Sequence, residues 1–280
     1  MSDPSPLDAV TAFYQTHPIS EKQILDKLAA QGVSPDSVTQ DILQAHDQDH
    51  YGGTDANDKL AQRAGLSAET EVLDVCCGLG GPSRYYAHHV GCHVTGIDLT
   101  VSRIEGARRL SEMCGLGDKV TFLAGNALDM PFPDAGFDVA LSQEAFCHIP
   151  DKPRLLVEIA RVLKPGGRLA FTDILSTPLT TPDALVRLAA EMTFRDLASA
   201  DNYRAMLADA GFDVLSVDDL GAEWRDILID RLAMYRSLKD QTIDRFGPAH
   251  FQKWDSAYDF FVSRYATGAL GGGRFLARRI

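Results

Sequence analysis

One apolar segment that leads into three closely spaced glycines constrains the fold of this chain more than any other feature. It begins with Val72-Leu73-Asp74-Val75 and ends with Gly78-Leu79-Gly80-Gly81. A buried strand, a glycine turn and a following helix form the first unit of a nucleotide-binding α/β sheet. Because glycine has no side chain, the backbone of such a turn can come close to a ligand. The segment therefore predicts a sheet with a binding site at the end of its first strand.

A carboxylate at the end of the next apolar run narrows the class of ligand. Val94-Thr95-Gly96-Ile97 leads into Asp98, where a carboxylate can accept hydrogen bonds from both hydroxyls of a ribose. Dinucleotide-binding turns follow G-x-G-x-x-G, but this chain has Ser83 at the third glycine position and an additional carboxylate, Asp74, inside the motif. The combination favours S-adenosylmethionine, which has a ribose and no phosphate, over a pyrophosphate-bearing cofactor.

Strands and helices are predicted to alternate between residues 70 and 175. The predicted strands are 71–75, 93–97, 120–124, 137–142 and 168–173; the helices between them are 83–89, 101–114 and 153–163, and a turn at Lys164-Pro165-Gly166-Gly167 follows the last helix. Such alternation is typical of a parallel sheet with helices on both faces and right-handed crossovers.

The two flanks are predicted to be mainly helical. Helical patterns cover Ile24–Leu28, Val38–Leu43, Asp55–Ala64, 182–197, 202–210 and most of 224–265; Pro18 and Pro35 mark helix ends; further strands are 212–218 and 271–277. We therefore expect a Rossmann-like α/β fold with a seven-stranded, mostly parallel sheet. The expected domains are a helical cap or lid at 1–66, a cofactor-binding core at 67–177, and a helical substrate cover at 178–280 that adds the last strands.

Composition restricts the partners of the chain. A net charge of −12 argues against general binding of nucleic acids or anionic membranes. Apolar runs stay short of 18 residues, and no apolar segment follows a basic stretch at the N-terminus, so neither a membrane span nor a signal peptide is expected. Five cysteines without metal-site spacing predict reduced thiols and no metal. We expect a cytoplasmic monomer or homodimer that acts on a small molecule.

Five segments between residues 70 and 175 together resemble the class I S-adenosylmethionine-dependent methyltransferases. They are Leu73-Asp74-Val75-Cys76-Cys77-Gly78-Leu79-Gly80, Gly96-Ile97-Asp98-Leu99, Asn126-Ala127-Leu128-Asp129-Met130-Pro131-Phe132, Phe137-Asp138 and Arg161-Val162-Leu163-Lys164-Pro165-Gly166-Gly167. The resemblance implies S-adenosylmethionine as the cofactor. It also implies that Gly78 and Gly80 flank the methionine part and the ribose, that Asp98 binds the ribose hydroxyls, and that Leu99 packs on the adenine.

The resemblance extends to other residues of the cofactor site. Asn126, followed by Ala127, stands where the family often has an aspartate that contacts the adenine amino group; an amide oxygen can accept the same hydrogen bond. Gln143 follows the fourth strand, at the edge where ligands bind. Asp74 is included as a cofactor contact, with a turn-stabilising role as the alternative. The alternative for Asp98 is a cap of the helix that begins near Val101.

Two residues are candidates for the chemistry. The segment Ser142–Lys152 resembles small-molecule N-methyltransferases that act on sarcosine, dimethylglycine or phosphoethanolamine, which often carry Ser-x-Asp/Glu-x-x-x-His. That resemblance makes His148 a candidate acceptor for the proton of an amine, the alternative being a capping or packing histidine. Tyr51 lies in the segment Gln48–Gly53 of the polar loop 46–53, a predicted lid, and could place an amine against the sulfonium methyl. An ordinary interhelical loop is the alternative.

The sequence leaves several functions open. The sequence favours methyl transfer to a small amine over an O- or C-methyltransferase of natural-product biosynthesis. Tyr235 and Lys239 have the spacing of short-chain dehydrogenases, which keeps an NAD-dependent oxidoreductase as an alternative, and a non-catalytic cofactor-binding protein is another. Arg195, Arg225 and Arg231 could each hold a substrate carboxylate or phosphate, and nothing in the sequence selects one of them.

Overall fold

Seven strands form one sheet in the computed structural model, which describes residues 6–15 and 19–280. The strands are β1 Glu71–Val75, β2 His93–Asp98, β3 Val120–Ala124, β4 Phe137–Gln143, β5 Leu163–Ser176, β6 Phe212–Asp219 and β7 Leu270–Arg279. Their order across the sheet is β3-β2-β1-β4-β5-β7-β6. The strands from β1 to β5 are parallel, and β7 runs antiparallel to both β5 and β6. The predicted seven-stranded, mostly parallel fold is confirmed.

Helices cover both faces of the sheet and form the two flanks. Those before β1 are α1 Pro6–Gln15, α2 Glu21–Ala30, α3 Gln40–Leu43 and α4 Gly53–Ala64; those between the parallel strands are α5 Gly81–His89, α6 Val101–Met113 and α7 Lys152–Val162; those after β5 are α8 Pro182–Met192, α9 Ala200–Asp209, α10 Gly221–Ser237, α11 Lys239–Phe246 and α12 Pro248–Ala266. None of the helices within 6–15 and 19–280 is long and apolar enough to cross a membrane.

Several predicted boundaries differ from the structure. The expected helix 182–197 ends at Met192, because Thr193 takes a left-handed conformation with φ of 57°. The expected turn at Lys164–Gly167 instead interrupts the β4–β5 ladder: Leu163 already pairs with Phe137, and regular pairing resumes at Arg168. The helical pattern at Val38–Leu43 yields only the short α3. Pro18, expected to mark a helix end, lies outside the described residues.

Buried side chains join the flanks to the sheet. Leu60 and Ala64 of α4 pack with Val72 of β1 in one hydrophobic cluster. Another cluster brings Ile174 of β5 together with Trp224 of α10. These contacts attach α4 and α10 to the sheet.

Candidate functional site

The carboxylate of Asp98 links the ends of β1 and β2. Its Oδ2 accepts a hydrogen bond from the backbone N–H of Gly78 at 3.0 Å, and its Oδ1 accepts one from the N–H of Thr100 at 2.8 Å. The N-cap of α6 is Thr100 rather than Asp98. Asp98 and the following Leu99 are only partly buried. Because each carboxylate oxygen has a further lone pair, Asp98 can still accept hydrogen bonds from a ligand.

Close packing explains the glycines of the turn after β1. Gly78 and Gly80 have φ values of 55° and 73°, a left-handed conformation that favours glycine. A Cβ at Gly80 would also collide with the ring of Phe122, and a Cβ at Gly81 would collide with the carbonyl oxygen of Asp47. The predicted lid loop therefore lies directly against the glycine turn.

The buried carboxylate of Asp74 faces the start of α5. Its Oδ2 accepts a hydrogen bond from the hydroxyl of Ser83 at 2.5 Å. Burial raises the pKa of Asp74 to about 6, although the Ser83 hydrogen bond opposes the shift. This bond gives a physical reason for a serine where dinucleotide-binding turns carry glycine. The turn-stabilising role considered for Asp74 has a structural basis, while its contact with the cofactor stays a prediction.

Two further predicted cofactor residues lie at neighbouring strand ends. Asn126 follows β3, and its side-chain oxygen accepts a hydrogen bond from the N–H of Leu128 at 3.0 Å. The adjacent Ala127 is buried in the core. Gln143, the last residue of β4, lies 3.3 Å from the hydroxyl of Tyr86 and 3.1 Å from Nδ1 of His50. Gln143 thus connects the sheet to the lid loop.

Buried polar contacts hold the lid loop in place. The carboxylate of Asp47 pairs with the guanidinium of Arg84 at 2.8 Å, and both side chains are completely buried. His50 Nε2 lies 3.0 Å from the side-chain oxygen of Gln48. Burial lowers the pKa of His50 to about 4, so this imidazole is neutral at physiological pH.

Tyr51 joins the lid loop to Glu144, which follows β4. The N–H of Tyr51 donates to Oε2 of Glu144 at 2.6 Å, and the hydroxyl of Thr172 donates to Oε1 at 2.6 Å. Glu144 adopts a left-handed conformation with φ of 46°, which is strained for a residue with a side chain. The Tyr51 ring packs edge-on against Trp224, and the guanidinium of Arg231 lies 5.0 Å from its centre.

His148 is buried and both of its ring nitrogens have partners. Nδ1 lies 3.2 Å from the carbonyl oxygen and 2.9 Å from the hydroxyl oxygen of Thr193, whose own proton goes to the carbonyl of Met192. Nδ1 must therefore carry the hydrogen, since a carbonyl only accepts. Nε2 then accepts from the hydroxyl of Tyr14 at 2.9 Å. The structure brings His148 next to Tyr14 rather than into direct contact with Tyr51.

Tyr14 is a site residue that the sequence did not single out. Its ring lies under the guanidinium of Arg103, 4.6 Å from the ring centre, and Arg103 in turn pairs with Asp49 of the lid loop at 3.1 Å. Burial raises the pKa of Tyr14 well above its usual range. Glu144 was also missed as a separate candidate. Glu144 occupies the Asp/Glu position of the Ser-x-Asp/Glu-x-x-x-His pattern, which could have marked it. No local pattern marks Tyr14, because its contacts are with distant segments.

Other residues considered from the sequence lie apart from these contacts. Tyr235 stacks on Phe251 in the helical cover, and the ammonium group of Lys239 lies 5.7 Å from the centre of the same ring. His88 and His89 are the last two residues of α5. With Asp41 they form an exposed group whose possible ligand atoms lie within 4.8 Å of one another.

The strand order, the glycine turn and the carboxylate at the end of β2 define a Rossmann-like nucleotide-binding protein of the methyltransferase type. Residues 73–171 match the family model described as a methyltransferase domain. The chain is 32% identical over 203 residues to 27-O-demethylrifamycin SV methyltransferase from Amycolatopsis mediterranei, covering 71% of this chain and 74% of the relative. The chain therefore belongs to the S-adenosylmethionine-dependent methyltransferases, which confirms the expected family and cofactor.

Other similar proteins are named for other reactions, or share a smaller part of their own length with this chain. Phosphoethanolamine N-methyltransferase 3 from Arabidopsis thaliana is 31% identical over 229 residues, covering 81% of this chain and 46% of the relative. The chain spans 44% to 63% of the length of several curated relatives. The solved structure of the [4+2]-cyclase SpnF superimposes with a TM-score of 0.75 at 22% identity, covering 99% of this chain and 96% of that one. This likeness shows the fold alone.

Proposed function

We propose that this chain transfers the methyl group of S-adenosylmethionine to a small metabolite, with an amine of the glycine, sarcosine or dimethylglycine kind as the acceptor. The contact that carries the proposal is the hydrogen bond between Tyr14 and Nε2 of His148. This pair supplies a base near the carboxyl ends of the parallel strands, where the glycine turn also lies. An ammonium group cannot attack a methyl group until it has lost a proton, so a positioned base is what this reaction needs.

The proposed cofactor site follows the ends of β1 to β4. It consists of Asp74, Gly78, Gly80, Asp98, Leu99, Asn126, Ala127 and Gln143. Asp98 binds the ribose hydroxyls, since its partly exposed carboxylate keeps free lone pairs. The Asn126 side chain faces the adenine, and Gln143 connects the cofactor to the lid loop through His50.

In the proposed reaction His148 accepts a proton and the protein orients the two reactants. The hydroxyl of Tyr14 passes its proton to Nε2 of His148 as it receives one from the amine. The amine lone pair then forms the new N–C bond while the S–C bond breaks and leaves S-adenosylhomocysteine. Tyr51 positions the amine, because an aromatic ring attracts both an ammonium and a sulfonium group. Most of the rate comes from holding the nucleophile in line with the methyl group.

An O- or C-methyltransferase of natural-product biosynthesis is the second candidate. The similarity to 27-O-demethylrifamycin SV methyltransferase favours it. A hydroxyl acceptor would also have to lose its proton, so the Tyr14–His148 pair suits this reaction as well. The size and chemistry of the acceptor, rather than the base, distinguish the two candidates.

The proposal includes the organisation of the chain. Residues 1–66 act as a cap or lid, 67–177 as the cofactor-binding core, and 178–280 as a substrate cover. We place the protein in the cytoplasm, as a monomer or homodimer without a nucleic-acid or membrane partner, because its surface is acidic and its five cysteines are free thiols.

A methyl-transfer screen tests the proposed function. The full chain is incubated with methyl-labelled S-adenosylmethionine and a panel of small amines, phenols and carbon acids, and labelled products are identified by mass spectrometry. We expect the label on the nitrogen of an amine. Label on oxygen or carbon would replace the first candidate by the second, and cofactor binding without transfer to any member of the panel would contradict both.

A further inference from the structure

A cavity of about 600 Å³ lies between α1, α8 and α12. Much of its wall is apolar and is formed by side chains such as Phe13, Val186, Trp254 and Ala257. Pockets for small organic ligands in proteins span about 300–1,000 Å³ and are largely apolar with a few polar groups. The cavity has the size and lining of a binding site for a small molecule.

Two cationic side chains also line this cavity. Arg195 and Lys253 are exposed, and neither side chain makes a hydrogen bond or an ion pair within the described residues. Among the described lining residues the cavity has one carboxylate, that of Glu191, which is paired with Arg187 at 3.0 Å. In a chain whose net charge is −12, two cations that have no ion-pair partner in the described part of the chain and lie beside an apolar wall attract an anion.

The cavity is separated from His148 by a single residue. Thr193 lines the cavity, and its hydroxyl oxygen lies 2.9 Å from Nδ1 of His148. The backbone N–H of Arg195 donates to the carbonyl of Cys147, the residue before His148, at 3.0 Å. Phe13 lines the cavity from the other side, with its ring centre 6.2 Å from that of His148. A ligand in this cavity would therefore lie beside Thr193, on the Nδ1 side of His148.

We propose that this cavity binds the part of the methyl acceptor that is remote from the reacting nitrogen, and that this part carries a carboxylate or phosphate group on an apolar body. Arg195 and Lys253 hold the anionic group, and the alanine-rich wall with Phe13 and Trp254 contacts the body. A guanidinium fork binds such groups through two parallel hydrogen bonds, while an ammonium adds a point charge. The assignment rests on the proposed methyl transfer and names the class of its substrate.

Three probes with the same body and different end groups test the charge preference. Binding of 4-phenylbutyrate, 4-phenylbutan-1-ol and 4-phenylbutylamine to the full chain saturated with S-adenosylhomocysteine is measured by calorimetry. We expect the carboxylate to bind at least about tenfold more tightly than the alcohol or the amine, the scale of one hydrogen bond between charged groups. Equal affinities for the three probes would overturn the proposal.

Variants test whether Arg195 and Lys253 cause the preference for the carboxylate probe. Arg195→Gln/Lys253→Gln should weaken binding of the carboxylate at least about tenfold and leave the alcohol within threefold. Arg204→Gln/Lys27→Gln removes the same charge from two exposed side chains outside the cavity and should change neither affinity. Arg195→Lys/Lys253→Arg, which keeps both charges, should retain most of the preference. A carboxylate preference that survives the glutamine variants would refute the assignment.

Methyl transfer separates this proposal from the function on which it rests. With acceptors from the screen, the glutamine variants should raise KM for anionic acceptors at least tenfold while kcat changes less than threefold. Unchanged KM values in the glutamine variants would refute the cavity assignment and leave the proposed methyltransferase function intact. Carboxylate binding in the cavity without transfer to any acceptor would refute the function and leave the cavity as an anion site.

Discussion

At the scale of single residues, three carboxylates near the same edge of the sheet have different surroundings. Asp98 is partly exposed and is bonded only to backbone N–H groups. Asp74 is buried and bonded to Ser83, and its pKa is raised to about 6. Glu144 is fixed between Thr172 and the backbone of Tyr51. Of the three, Asp98 is therefore best suited to bind ligand hydroxyls, whereas the other two already serve internal contacts.

Replacing Asp98 should weaken cofactor binding. Asp98→Ala removes the acceptor for two ribose hydroxyls, and we expect a loss of about 1.5–3 kcal/mol in binding free energy, the scale of a hydrogen bond to a charged group. Calorimetric titration with S-adenosylmethionine measures the loss. Asp118→Ala, which changes an exposed aspartate before β3, is the control. Unchanged affinity in Asp98→Ala would remove Asp98 from the site.

His148 should affect catalysis and leave cofactor binding nearly intact. General-base assistance is worth about 10²–10⁴ in rate, and we expect His148→Ala to reduce kcat within that range. Tyr14→Phe should also lower kcat, because it removes the hydroxyl that bonds Nε2. The measurement is single-turnover methyl transfer at saturating cofactor. If His148→Ala lost less than threefold, orientation alone would drive the reaction and His148 would be a packing residue.

Glu144 should make the stability of the protein depend on pH. Burial raises its pKa from 4.5 to about 7; the charge of Arg231 opposes the shift and that of Asp173 adds to it. Between these two pH values the folded chain keeps a proton that the unfolded chain has lost, so the Glu144 contribution to stability falls as pH rises.

Glu144→Gln should remove this pH dependence. The unfolding free energy of the wild type minus that of the variant should fall by about 1–3 kcal/mol from pH 4.5 to 8. A shift of one pKa unit corresponds to about 1.36 kcal/mol, and the expected range is smaller than the full sum because Glu144 is only partly buried. Denaturant titrations at several pH values measure it. Asp74 and His50 titrate in both proteins, so their contributions cancel. A constant difference across the range would show that Glu144 has an ordinary pKa.

At the scale of secondary-structure elements, the loop between α3 and α4 contacts three other elements of the fold. It contacts α5 through the buried Asp47–Arg84 pair, β4 through Gln143 and His50, and α10 through Arg231, whose guanidinium donates to the carbonyl of His50 at 2.7 Å. A loop held from three sides over the glycine turn can close on a ligand and exclude water.

Cofactor binding should protect this loop from proteolysis. Digestion with proteinase K, followed by mass spectrometry, should show slower cleavage at residues 46–53 when S-adenosylmethionine is bound, because the closed loop gains contacts with the ligand. The exposed turn at 115–118 is the internal control. It precedes β3 and therefore lies at the amino ends of the parallel strands, opposite the loop. Equal cleavage of the loop with and without ligand would count against its role as a lid.

At the scale of the whole molecule, the flanks and the core share hydrophobic clusters, so we expect them to unfold together. Saturating S-adenosylmethionine should raise the midpoint of a single thermal transition by several degrees, since a ligand at one hundred times its Kd stabilises the folded state by about 2.7 kcal/mol. Scanning calorimetry with and without cofactor measures the shift. Two separate transitions, with only one displaced by the ligand, would show that the cap or the cover folds independently.

Much of the core could be predicted because its information is local. The glycine turn, Asp98 and the strands from β1 to β4 follow from short patterns of apolar residues, glycines and carboxylates within a few positions of one another. The boundaries that were wrong depend on single backbone conformations, such as the left-handed Thr193 that ends α8. Sequence patterns have little power there, because neighbouring packing selects such a conformation.

The sequence by itself determined the sheet, the glycine turn after β1 and the family of the protein. Only the tertiary structure decided which residues meet at the site. Tyr14 and His148 are 134 positions apart, and Tyr51 and Glu144 are 93 positions apart. Neither pair lies within one strand or helix, so no periodic pattern encodes either contact. The physical reason is that each pair forms only when the residues before β1 pack against the segment that follows β4, which the packing of separate hydrophobic surfaces brings about.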